Sequence, residues 1–122
     1  MQSWDLPEIE LSGGTRSPVV VFSREEARAV LIGVDACQEL GDHQVKETAF
    51  LVVLDGSIEV TTDDGETLDA SAGALVAFEP NERRRVASPA GARILLVLAP
   101  WPAAGHYTAG AGDPGAHAPP AA

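Results

Sequence analysis

The side chains with chemistry to offer are few: three histidines, one cysteine and a run of three arginines. His43 lies in the stretch Asp42-His43-Gln44-Val45-Lys46-Glu47. In an extended chain successive side chains point to opposite faces. His43 then shares a face with Val45 and Glu47, and Asp42 points away from it. That phase speaks against an Asp42–His43 dyad and leaves His43 as a general base or a hydrogen-bond donor to a ligand. In Arg83-Arg84-Arg85 the same alternation separates Arg84 from its neighbours. Arg84 can grip a carboxylate or phosphate through its planar fork, or fill space as an ion pair with Glu47 or Glu82. Arg83 and Arg85 read as solvated, and so do Lys46 and Glu47 unless they are paired. Cys37 reads as a small packed hydrophobe. His106 and Tyr107 follow the last strand, and His117 falls in a tail.

The elements that must position these groups are strands. Pro18 to Phe22 is dense in β-branched residues. Ala27 to Val34 follows after a polar turn at Ser23–Glu26. Glu25 to Ala29 would suit a helix, but Val30, Ile32 and Val34 repeat with period two, so a strand buried on both faces is expected. Glu39 to Asp42 reads as a bend. Phe50 to Leu54 is a further buried strand, and Asp55-Gly56 reads as a hairpin turn that stops it. Ile58 and Val60 point inward from the next strand, and Asp63-Asp64-Gly65 turns the chain again. Glu66 to Asp69 reads as an edge strand, followed by Ala74 to Phe78, Arg83 to Ala87 and Arg93 to Ala99. Trp101 anchors the segment after the last strand. Strands about every ten residues with turn chemistry between them predict a sandwich or small barrel.

The totals restrict partners. The 122 residues allow one domain, and apolar residues at 45% allow a packed core. Eighteen acidic against eight basic side chains give a net charge of −10, which repels phosphate backbones and anionic lipid. Neither nucleic acid nor a membrane surface is expected as a partner. A single cysteine permits no internal disulfide and no thiolate zinc cluster. The apolar run at residues 94–99 is too short to span a bilayer, and the first residues lack the pattern of a signal peptide. A cytoplasmic location is the expectation. The expected organisation is an N-terminal arm at 1–17, a barrel at 18–107, and a disordered Ala/Gly/Pro-rich tail at 108–122.

The run from Gly41 to Glu47, continuing through Phe50-Leu51-Val52-Val53-Leu54-Asp55-Gly56, resembles the first conserved motif of the cupin superfamily. Gly73 to Val86 resembles the second, which has a glycine, an apolar strand, a proline turn and then a histidine. The similarity covers roughly Val19 to Ala99, and the ending Ala99-Pro100-Trp101-Pro102 is similar to that of small bacterial cupins. It implies an all-β jelly-roll barrel, a double-stranded β-helix, and a homodimer paired through sheet faces or edges. In metal-binding cupins two histidines, a glutamate and a later histidine hold one divalent ion. Carried over, these positions fall on His43, Val45, Ala49 and Arg84. Valine and alanine have no donor atom and arginine is a cation, whereas a catalytic site keeps three protein ligands. The resemblance therefore implies a barrel without the usual metal. If iron, manganese, nickel or zinc were bound, His43 and Glu47 would be the ligands. The pattern also has a glycine near Cys37.

Three functions fit. The first is a metal-independent barrel binding a small, anionic molecule through His43, Arg84 and Glu47. The second is an enzyme, either a metal-free isomerase or epimerase with His43 as base, or an oxygenase with an atypical metal site. The third is a structural or interaction module with a filled barrel.

Overall fold

The computed structural model describes residues 1–11 and 18–105, with Asp42 and His43 described by backbone alone. The tail expected from residue 108, and with it His106, Tyr107 and His117, lies outside the described residues. Eight strands follow a short 3-10 turn at Leu6–Glu8: β1 (Val19–Ser23), β2 (Arg28–Val34), β3 (Glu39–His43), β4 (Thr48–Thr62), β5 (Thr67–Ser71), β6 (Leu75–Phe78), β7 (Arg84–Ala87) and β8 (Ala92–Ala99). All pairings are antiparallel. The architecture is all-β, and its centrepiece is β4.

β4 belongs to two walls. Its first half pairs with β6 on one side and β8 on the other, and β8 carries β2 and then β1. Its second half pairs with β5 and β7, and β7 carries β3. Ala49, Leu51 and Val53 are buried in the first half, Ile58 and Val60 in the second. The inward phase therefore flips from odd to even numbers, which needs one extra residue. The register supplies it: Val53 faces Ile94 and Asp55 faces Arg93, so β4 bulges between them. Asp55-Gly56 is thus not the hairpin that the sequence suggests. Gly56 adopts φ +79 within a continuous strand, and a Cβ there would lie 2.1 Å from the Gly91 carbonyl oxygen. A turn dipeptide has been used to bend a strand from one wall into the other.

Two further expectations are corrected. Glu39 to Asp42 is not a bend but most of β3, with a register break between Leu40 and His43. The turn-forming pair Gly41-Asp42 marks that irregularity rather than the end of a strand. Cys37 is exposed, not packed. It takes φ +65 in the turn before β3, where its N–H donates to the Ser88 carbonyl at 2.9 Å. The left-handed position is kept without glycine.

Phe50 to Leu54, expected as a buried strand, instead alternates, with Leu51 and Val53 buried and Phe50 37% exposed; the other strand placements agree. Val30 to Ile32 and Val34 in β2 are buried, and Asp63-Asp64-Gly65 forms the β4–β5 hairpin, closed by Gly65 N–H to Thr62 O at 3.0 Å. β5 has β4 as its neighbour, an edge position. The core runs between the walls from Val30, Ile32, Leu51 and Ile94 to Val60 and Val86. No helix among the described residues is long and apolar enough to cross a membrane.

Candidate functional site at the open end of the barrel

The walls are joined at the bulge and diverge from it. At the far end, the first wall presents the row Arg28–Leu98–Ala49–Phe78 and the second presents His43–Arg84–Thr62. This open end is bridged by the connection before β4 and by the turn before β7. The Asn81 N–H donates to Val45 O at 2.7 Å, and the Arg83 guanidinium donates to the Gln44 amide oxygen at 3.0 Å. Arg85 faces outward as expected, 3.7 Å from the Glu39 carboxylate.

Arg84 occupies the inward position on β7. It is 5% exposed, and its guanidinium lies 4.8 Å over the Phe78 ring across the gap between the walls. The electron-rich ring face partly replaces lost hydration. Burial still pushes the guanidinium down to about 10, and the charge of Glu82 opposes that shift. Neither ion pair expected from sequence forms: among the described residues no carboxylate lies within salt-bridge distance of Arg84. A cavity of roughly 10 Å³ lies among Ile32, Leu40, Leu51, Val86 and Leu96 with Arg84 at its rim, room for about one water molecule. Arg84 also borders an outer recess of about 220 Å³ with Thr61, Thr62, Asp63 and Arg85.

The three residues singled out from sequence meet different fates. His43 is the direct cross-strand neighbour of Arg84 by backbone register, and its side chain lies outside the described residues. Glu47 is not solvated as its polar neighbourhood suggested: it is fully buried, and its carboxylate accepts the Ala103 N–H at 2.9 Å. Val45 and Ala49 are buried at the same end. At the positions where a metal-binding cupin has imidazole and carboxylate, this chain has two hydrocarbons and a cation. Such a donor set does not fit a divalent ion, and no group of three or more His, Cys, Asp and Glu suited to a metal occurs among the described residues.

Sequence reasoning missed Arg28 and Phe78. Each carries a legible signal: Arg28 has the parity of inward Val30, Ile32 and Val34, and Phe78 that of Val76. A second recess, about 480 Å³, lies away from the open end beside Cys37, Glu39, Glu59 and Asp69. These three carboxylates share one transverse row on the outside of the second wall.

A cupin-domain profile matches residues 31–98, which contain β3 to β7 and most of β2 and β8. The chain belongs to the cupin family. Among solved structures, it is similar to an rmlc-like cupin protein from Desulfovibrio desulfuricans, with 25% identity over 82% of this chain and 97% of that one and a TM-score of 0.74. A cupin superfamily protein from Desulfitobacterium hafniense matches 78% of this cupin and 86% of its own chain at 10% identity, TM-score 0.70. An rmlc-like cupin with a double-stranded β-helix fold from Methanocaldococcus jannaschii covers 76% and 87% at 17% identity, TM-score 0.67. The jelly-roll expectation is thereby met. No curated protein matches the sequence.

Proposed function

We infer that this cupin binds a small anion without a metal, at the open end of its barrel. One observation carries the reading: Arg84, 5% exposed, has no hydrogen bond or ion pair to a described residue. The guanidinium presents five donors in a fixed fork, borders the outer recess, and meets no acceptor among the described residues. A carboxylate or other oxyanion would satisfy it bidentately. His43, across the ladder, is the second anchor in this reading. The cavity of about 10 Å³ beneath Arg84 admits no bulky ligand, so in this reading the anionic head sits at Arg84 and any remainder lies toward the outer recess. Glu47, engaged with Ala103, is not a ligand contact here.

Thermal unfolding in formate, acetate or phosphate against chloride tests it. At about 100 times Kd a bound anion stabilises by about 2.7 kcal/mol, and Arg84→Met abolishes that gain. A melting temperature indifferent to every anion would sink the reading. It would favour the filled-barrel module.

We also infer a second copy as partner on the outside of the first wall. The rows Ala77–Phe50–Val97–Ala29 and Leu75–Val52–Leu95 contain no charged residue, Leu75 is 64% and Phe50 37% exposed, and Leu31, next in the second row, is already covered within the chain. In a chain of charge −10, joining these faces brings two copies together with their charges directed outward. Sedimentation should show a dimer that Leu75→Glu dissociates, and a wild-type monomer would refute it.

A further inference from the structure

Residues 100–103 leave β8 at the open end and bury Trp101 in the core at 6% exposure. Pro100 and Pro102 have no N–H, so this segment cannot be zipped onto the ladder. Side chains hold it instead. The Arg28 guanidinium lies 4.5 Å over the indole ring, and Glu47 accepts the Ala103 N–H. Ala104 and Gly105, immediately beyond, are exposed.

The surroundings are unusual for a permanent core position. Glu47 is fully buried beside the segment. The Arg28 Nε is buried with no hydrogen-bond partner among the described residues. Burying such groups is expensive, and apolar packing of similar volume is commonly at least as stable. A flat cation over a ring, with a carboxylate gripping the chain beside it, is instead the chemistry of a bound aromatic ligand. Here the ligand is the chain's own tryptophan.

We propose that residues 100–103 form a latched plug: Trp101 closes the open end, Glu47 is the latch, and the vacated space is a site for a planar aromatic ring under Arg28. Opening breaks no strand pairing, because the ladder ends at Ala99, so it occurs as a local event below global unfolding. The plug does not rest on the anion reading; Arg84→Met should leave Trp101 quenching and Ala103 exchange unchanged.

Trp4→Phe leaves Trp101 as the one tryptophan of the full chain. In that background Glu47→Ala should raise acrylamide quenching of Trp101 several-fold while a single cooperative melt persists, and Glu47→Gln, which keeps an acceptor oxygen, should raise it less. In the otherwise native protein the Ala103 amide should exchange faster than amides of β4 and β8. Added indole should restore the melting temperature lost in Trp101→Ala. The proposal fails if Trp101 quenching and Ala103 exchange rise only with global unfolding, in wild type and Glu47→Ala alike. Those two measurements decide the matter even where Trp101→Ala does not fold.

Discussion

The two ends of this barrel are closed by different means. At the bulge end, backbone meets backbone: Gly56 lies so close to Gly91 that no Cβ fits between them. Ser88 ties three segments there, donating to Ser57 O at 2.7 Å and accepting the Gly91 N–H at 2.9 Å. At the open end the closure is made of side chains, Arg84 on Phe78 and Trp101 under Arg28. Backbone closure leaves no room for a side chain at Gly56. Side-chain closure can be rearranged, and the charged groups of the fold's interior gather there. The lesson is that a fold can confine its adjustable chemistry to one end by making the other end rigid.

The sharpest way to break this contrast is Gly56→Ala. The new methyl would need the Gly91 carbonyl to move, and alanine at φ +79 is strained besides. A loss of about 4 kcal/mol or more, or failure to fold, is expected, read from the urea midpoint. A loss below about 1 kcal/mol would mean that the corner is as adaptable as the open end. Ser88→Ala should come next. It removes two buried hydrogen bonds and leaves the Gly91 N–H and Ser57 carbonyl to find other partners. About 1–3 kcal/mol is expected, with little change in m-value. If urea denaturation instead gave no shift, the three segments at the corner would be held by the ladder alone.

How much of this could be read from the sequence differs between the same two regions. Period-two patterning was enough to place β1, β2, β6, β7 and β8, because inward parity and β-branched composition agree there. The corner was misread because Asp55-Gly56 satisfies a hairpin and a bulge equally well. What distinguishes them is the phase of burial on either side, odd through Val53 and even from Ile58, a relation that spans ten residues. At the open end the inward position of Arg84 was legible from alternation. Its lack of an ion partner was not, since that depends on where Glu47 and Glu82 go in three dimensions. Glu47 turned to the C-terminal segment, a contact with a sequence separation of 56 that no local pattern encodes. Cys37 shows the reverse case: a local turn geometry held in place by Ser88 across the sheet, with no glycine to announce it.

The smallest expected effect is the most informative about the open end. Arg84→Met replaces a buried cation by an apolar chain of similar length. With no ion pair to lose, the variant should be neutral or about 1 kcal/mol more stable in anion-free buffer, as when buried charges give way to hydrocarbon. The pH dependence has a definite sign. Burial holds the folded guanidinium at about 10, below its ordinary range, so the unfolded chain binds more protons from about pH 10 up to that range. Stability contributed through this group therefore rises with pH across that window, and below about pH 10 the cost of the buried charge is fully present. The advantage of Arg84→Met over wild type should accordingly be constant near neutrality and shrink above pH 10. An advantage that grows with alkalinity, or a variant several kcal/mol less stable at pH 7, would mean that Arg84 holds the open end together rather than waiting there for an anion.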